Sequence, residues 1–288
     1  MLKYMSLLKI IKKYDKHLFK NRKMRFFENN SKKKINQYHT SEKNNLKKTK
    51  LVIFDKDGTL FNNEKIFAPW TENLVYKISE NLNISHENLF IHLGYDNQEK
   101  NFTGNSIIAC GTYHDIKEEI TKFIKPEFTQ FTFEETRKKV EENWYDLEYC
   151  KEDIIPFGNI SKLFSNLQKN NIKVAICTSD DRVHTLKTIH AFNLSNKINQ
   201  IICGDDIIAA KPSPDPILEI CKNIDVLPSE TIMVGDTISD IEAGINSKCK
   251  KVYGVLTGGY SSNQLQNADQ VFNNITEAID TIIDDNKI

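Results

Sequence analysis

No stretch of the 288 residues approaches the ~20 consecutive apolar positions that a bilayer-spanning helix needs, so no membrane span is expected. Net charge is missing too: 39 Lys and Arg balance 39 Asp and Glu. With no basic excess overall, a nucleic-acid partner is not expected. Cysteine is sparse and unpatterned. Cys110, Cys150, Cys177, Cys203, Cys221 and Cys249 form neither a CxxC pair nor a zinc spacing. Cys177 and Cys203 stand inside apolar runs, where a thiol behaves as a small hydrophobe. A disulfide framework is therefore not expected, and a reducing compartment is. No internal repeat is visible, and the length suffices for one large or two modest domains.

The charge balance hides a split. Residues 1–48 carry fifteen Lys or Arg against three Asp or Glu, leaving 24 basic and 36 acidic residues for the rest. A basic leader and an acidic body are not expected to share one task. Leu7, Ile11, Tyr14 and Leu18 recur at helical spacing among lysines. The acid-poor composition, with no continuous apolar core, resembles an organelle transit peptide more than a secretory signal, although Lys far outnumbers Arg. A disordered basic tail, or a patch for nucleic acid or anionic lipid, stays open as the alternative. A soluble intracellular protein is expected, cytoplasmic, or mitochondrial or otherwise organellar if residues 1–48 are an address.

The chain is organised around Leu51-Val52-Ile53-Phe54-Asp55-Lys56-Asp57-Gly58-Thr59-Leu60. Four apolar residues without a polar break read as a strand buried on both faces. It ends in two aspartates at i and i+2, whose side chains point the same way on an extended chain. In open α/β sheets the carboxyl end of the strands is where ligands bind. The plainer alternative is an Asp-x-Asp-Gly turn that merely closes a strand.

The next such strand is Val174–Thr178, preceded by an amphipathic helix from about Asn159 to Asn170. Residues 62–155 are left over, far more than a strand-to-helix loop needs. They hold Trp70, Trp144 and helical stripes at Leu74-Ile78-Leu82 and Glu134–Asp146, which predicts an inserted, mostly helical cap domain. A βα rhythm then resumes: a strand at Ile198–Cys203, a helix at Pro216–Asn223 with Asp215 as N-cap, a strand at Thr231–Gly235, a helix at Ile241–Asn246, a strand at Lys251–Val255, an edge strand at Ala268–Phe272 and a closing helix at Ile275–Ile283. The fold class is α/β, a Rossmann-like parallel sheet with an inserted cap. The expected domains are a leader at 1–48, a core at 49–61 plus 156–288, and a cap at 62–155.

Further strand ends deliver polar residues. Thr178 and Ser179 offer hydroxyls to a phosphate oxygen, although Thr is also at home in strands. Asp236 and Asp240 add carboxylates to Asp55 and Asp57, a cluster of like charge that calls for a cation. Oxygen ligands of this hardness suit Mg²⁺. For Asp240 the alternative is helix capping. Lys211, followed by Pro212 and Pro214, is either a solvated loop lysine or a cation held near the carboxylates.

These four motifs together resemble the haloacid dehalogenase-like hydrolase superfamily: DKDGTL at 55–60, CTS at 177–179, Lys211 before prolines, and GDTISD at 235–240. The insertion after the first motif is similar to the helical-cap subfamily that contains phosphoglycolate phosphatases and β-phosphoglucomutases. Leu93-Gly94-Tyr95-Asp96 and Gly111-Thr112 also look like members labelled phosphoglycolate phosphatase-like. The resemblance implies Asp55 as nucleophile, forming an aspartyl-phosphate, and Asp57 as the acid and then the base. Gly58, Thr178, Ser179 and Lys211 would contact phosphate. Mg²⁺ would be bound by the Asp55 side chain, the Asp57 carbonyl and Asp236, with Asp240 in support.

A carboxylate at 57 separates phosphatases and phosphomutases from the dehalogenases and P-type ATPases of the superfamily. Asn62 and Ser179 depart from the residues common there, Asp and Asn. The implied activity is a Mg²⁺-dependent phosphatase of a small phosphorylated metabolite, acting as monomer or homodimer. A phosphomutase is the alternative, and a non-catalytic regulatory protein on the same fold a remoter one. Specificity is expected in the cap, where Lys65, Trp70, Lys100, Thr112, Tyr113 and His114 are the candidates.

Overall fold

Period-two alternation along a strand buried on both faces sends successive side chains into two different cores. In the computed structural model, which describes residues 48–62, 64–103, 106–206 and 209–287, β1 (Leu51–Phe54) does this. Val52 and Phe54 enter one apolar cluster and Leu51 and Ile53 another, all fully buried. The strands β2 (Lys173–Cys177), β3 (Gln200–Ile202), β4 (Thr231–Gly235), β5 (Lys251–Val255) and β6 (Gln270–Phe272) complete a six-stranded parallel sheet. Its order is β6-β5-β4-β1-β2-β3. Chain direction across the sheet reverses between β1 and β4, the switch point at which ligands of doubly wound sheets bind.

Ten helices cover these elements among the described residues. They are α1 (Glu64–Leu82), α2 (His86–Leu93), α3 (Ile107–Cys110), α4 (Tyr113–Ile124), α5 (Phe133–Glu142), α6 (Ile160–Lys169), α7 (Arg182–Ala191), α8 (Asp215–Ile224), α9 (Ile238–Asn246) and α10 (Ile275–Asp285). Phe164 of α6 stacks on Phe54 with ring centroids 5.3 Å apart. Ile279 and Ile282 of α10 enter the same cluster. On the opposite face Ile217 and Ile220 of α8 pack with Ile241 of α9. Truncating Phe54 to Ala would cost about 3–5 kcal/mol, the usual range for a buried phenylalanine.

The segment between β1 and α6 is helical, as its stripes predict. Leu74 and Ile78 of α1, Leu89 and Leu93 of α2, Ile116, Ile120 and Ile124 of α4, and Val140 of α5 are buried together. Thr112 and Thr132 start α4 and α5 with reciprocal capping boxes to Asp115 and Glu135. The way in and the way out meet: Phe61 pairs with Pro156, and Asn62 with Ile155, as a short antiparallel ladder.

Several boundaries differ from expectation for local reasons. The stripe at Glu134–Asp146 stops at Glu142. Beyond it the carbonyls of Trp144 and Tyr145 accept from Lys77 Nζ at 2.7 Å and Trp70 Nε1 at 2.8 Å, tertiary bonds that replace helical ones. Asp215 is not the N-cap of α8; Pro214 holds that position and Asp215 is the first helical residue. Helix α9 begins at Ile238, ahead of the expected Ile241, because Thr237 caps it. Helix α7 has no aliphatic stripe to announce it, since Thr185 and Thr188 bury alongside Ile189. The leader stripe Leu7-Ile11-Tyr14-Leu18 lies outside the described residues. No helix among the described residues is long and apolar enough to cross a membrane.

Candidate active site

The backbone turns away from the sheet directly after β1, and Asp55 sits there, 6% exposed, its N–H donating to the Val234 carbonyl at 2.9 Å. The turn that follows needs glycine. Gly58 has φ +83°, and a Cβ on it would fall 2.3 Å from Asp236 Oδ2. Asp236, at the end of β4, is 3% exposed and accepts from Thr59 Oγ1 at 2.7 Å. The other side of its carboxylate is bounded by Gly258, whose hypothetical Cβ would lie 1.7 Å from Oδ2. Two glycines from distant segments thus make room for one aspartate.

Lys211 reaches the same place from the loop before α8. Its three ammonium hydrogens are all used: Asp55 Oδ1 at 2.6 Å, Asp240 Oδ1 at 2.6 Å and the Cys177 carbonyl at 2.9 Å. The solvated alternative for this lysine does not hold. Asp240 is fully buried with both oxygens engaged, Oδ1 by Lys211 and Oδ2 by the N–H and hydroxyl of Thr237 at 3.0 and 2.7 Å. It caps α9 from its third position and holds Lys211 as well, so both sequence readings of it apply.

One carboxylate oxygen from each of Asp55, Asp236 and Asp240 lies within 4.8 Å of the others. Burial, with Asp240 and Asp57 adding and Lys211 opposing, pushes Asp55 up to about 7. Burial beside Asp55 and Asp240 drives Asp236 well above the usual carboxylate range. Lys211 is held well above its usual value; burial opposes this, and the charges of Asp240 and Asp55 outweigh it. Buried carboxylates that resist ionisation, with an all-oxygen donor set, fit a hard divalent cation such as Mg²⁺. Asp180, Asp181 and His184 form a second close group. There Asp180 pairs with Lys56 at 3.0 Å and Asp181 with His184 Nδ1 at 2.7 Å, so these are internal ion pairs.

Thr178 is 4% exposed; its N–H donates to Ile202 and its hydroxyl accepts from the Asp180 N–H at 3.1 Å. Ser179 borders the same cavity, but its hydroxyl donates across to the Cys110 carbonyl at 3.1 Å, on the inserted segment. Sequence reasoning passed over Lys56. It is 1% exposed and bridges Asp57 Oδ1 at 2.5 Å to Asp180 Oδ2 at 3.0 Å. Both carboxylates raise its pKa against the burial that lowers it. The one available signal was a lysine in an otherwise buried run. Asp180 was passed over too; burial, opposed by Lys56, pushes it up to about 6.

These strand ends form one wall of a cavity of about 340 Å³. Phe67, Phe102, Ile108 and Tyr113 of the inserted segment line the other. Of the six candidates named there, Tyr113 alone borders this cavity. Lys65 and Trp70 border a smaller one of about 160 Å³. Lys100 pairs with Glu72 at 2.7 Å, Thr112 caps α4, and His114 is exposed.

Known proteins resemble this chain. A phosphoglycolate phosphatase of Aquifex aeolicus is 26% identical over 195 residues, 68% of this chain and 79% of that one. The pyrophosphatase PpaX of Bacillus mycoides is 26% identical over 211 residues, 71% of this chain and 83% of that one. The crystal structure of a hydrolase from Pseudomonas syringae superposes with a TM-score of 0.59 at 24% identity, over 83% of this chain and 98% of that one. The model of the haloacid dehalogenase-like hydrolases matches residues 49–248. That span runs from the strand leading into Asp55 past Asp240, and the chain belongs to the haloacid dehalogenase-like hydrolase family.

Proposed function

We propose that the protein is a Mg²⁺-dependent phosphatase of a small phosphomonoester, working through an aspartyl-phosphate on Asp55. The observation that carries this reading is the setting of Asp55: buried, hydrogen-bonded through Oδ1 to Lys211, and on the cavity wall beside Asp57. Two relatives named for phosphate-ester and pyrophosphate hydrolysis support the same reaction class.

In the first step an Asp55 carboxylate oxygen bonds to phosphorus while the bond to the departing alcohol breaks, and Asp57 gives that alcohol its proton. In the second, Asp57 takes a proton from water, the resulting hydroxide bonds to phosphorus, and Asp55 is released with inorganic phosphate. A carboxylate nucleophile splits one hard displacement into two. Lys211 keeps Asp55 oriented and exchanges one of its three partners for a phosphoryl oxygen. Thr178 and the backbone at Gly58 and Ser179 line the remaining phosphoryl positions. Asp55, Asp236 and the Asp57 carbonyl would hold Mg²⁺, which when bound supplies charge neutralisation for a phosphoryl group. Asp240, its oxygens already engaged, supports from behind through Lys211.

Residues 62–155 act in this reading as a cap over the site, hinged at the ladder of Phe61–Asn62 with Ile155–Pro156. The test is phosphate release from a panel of phosphomonoesters with Mg²⁺ and with EDTA. Release with the metal and none without it is the expected result. Transfer to a sugar hydroxyl with no phosphate released would make the protein a phosphomutase.

A further inference from the structure

We propose that the alcohol released at this site is uncharged and carries a further hydroxyl, and that Tyr113 selects it by a hydrogen bond. This rests on the phosphatase reading above. Two independent observations carry it.

The first is an unused hydrogen-bonding group. Tyr113 opens α4 and borders the cavity, and its phenolic oxygen is buried with no hydrogen-bond partner. The ring is held by Trp70 and Trp144, with centroids 5.5 and 5.8 Å away, so the hydroxyl is not free to swing to water. Tyr113 lines the same cavity as Asp57 and Asp180, and its ring meets His184 edge-on with centroids 6.3 Å apart. A buried hydroxyl without a partner is destabilising in the free protein, and a ligand that bonds to it removes that cost.

The second is the charge of the walls. The carboxylates of Asp55, Asp57, Glu64, Asp180 and Asp236 face one lining cation among the described residues, Lys211, and the strand-end carboxylates already engage it. Neighbouring lysines are committed elsewhere. Lys56 bridges Asp57 and Asp180, Lys100 pairs with Glu72, and Lys117 lies over the Trp144 ring at 4.7 Å. A substrate carboxylate on the inserted-segment side would therefore meet Glu64 with no lining cation beside it. A short polyhydroxy alcohol meets Tyr113 and fits a cavity of about 340 Å³.

The test compares kcat/KM of the full chain with Mg²⁺ on glycerol 1-phosphate, ethyl phosphate and phosphoglycolate. Glycerol phosphate is expected to exceed phosphoglycolate by about tenfold or more, the margin a site built for a hydroxyl can give. In Tyr113→Phe the advantage of glycerol phosphate over ethyl phosphate should collapse by about tenfold. The melting temperature should hold or rise, because the unpaired hydroxyl is gone while the ring remains. Phosphoglycolate turned over as well as glycerol phosphate, or an unchanged ratio in Tyr113→Phe, overturns the proposal and leaves the phosphatase reading standing. Release from none of the three overturns both.

Discussion

The ammonium of Lys56 lies 2.5 Å from the Asp57 carboxylate, one residue along the chain, and both belong to the turn that leaves the central strand. The same ammonium reaches Asp180 at 3.0 Å, so it joins the carboxyl ends of β1 and β2. Lys56 thereby fixes the direction of the proposed proton donor. Lys56→Met should destabilise the fold by roughly 3–5 kcal/mol, the usual consequence of stripping one partner from a buried ion pair. Urea unfolding measures this. A variant as stable as the parent would show that water replaces the ammonium.

Asp55→Asn and Asp57→Asn should fail differently. Asn at 55 removes the nucleophile and a charged metal ligand, so activity and Mg²⁺ affinity fall together. Asn at 57 spares much of the metal affinity, since the carbonyl and not the side chain is the proposed ligand, and it loses the ~10²–10⁴-fold that a proton donor contributes. The loss should shrink for aryl phosphates with acidic phenols, and a phosphorylated Asp55 should then be trappable by mass spectrometry. Full turnover of alkyl phosphates by Asp57→Asn would contradict the assignment.

Gly258→Ala places a methyl where Asp236 Oδ2 now sits, 1.7 Å from it. Gly258 has no left-handed backbone to lose, so the damage should fall on Asp236 alone. The Mg²⁺ concentration giving half-maximal activity should rise about tenfold or more, one lost carboxylate contact being worth at least ~1.4 kcal/mol. An unchanged Mg²⁺ titration would separate Asp236 from the metal.

The metal-free protein should depend on pH in a definite sense. Asp55 moves from the usual 3.8 to about 7, and Asp236 also moves up. A folded state that holds these protons more tightly than the unfolded chain is favoured at low pH. That contribution is lost as pH rises from roughly 4 through 7. Mg²⁺ replaces the protons, so the rise in melting temperature that it produces should be larger at about pH 7.5 than at about pH 5. Thermal unfolding with and without Mg²⁺ at the two pH values reads the difference. A larger effect at the acid end would remove the cluster from the metal site.

Residues 1 to roughly 45 should be dispensable for catalysis. The fifteen basic and three acidic side chains of residues 1–48 set this leader apart from the acidic remainder. A chain beginning near Asn45 should keep its kcat/KM, and a tenfold loss, about 1.4 kcal/mol in transition-state binding, would tie the leader to the reaction.

The sheet was legible in the sequence because its strands are buried on both faces, which writes them as unbroken apolar runs; Thr231–Gly235 and Lys251–Val255 stand where the runs stand. Edges were less so. Gln200–Ile202 is shorter than the strand expected at Ile198–Cys203, because an edge strand pairs on one side only. Helix α7 left no trace, its buried face being built of threonines that carry no hydrophobic period.

What the sequence determined by itself was that Asp55, Asp57 and Asp236 follow the ends of strands, which converge in a parallel sheet whatever the details of packing, and the structure brings Lys211 and Asp240 to the same place. The sequence could not determine partners. That Lys56 turns inward to Asp180, that Ser179 gives its hydroxyl to Cys110, and that Tyr113 borders the cavity while Lys65 and Trp70 do not, are contacts between residues far apart in the chain. The last two follow from how the inserted helices sit against the sheet. The helical period fixes only which face of each helix is apolar, and the tertiary packing decides which side chains of that face look into the site.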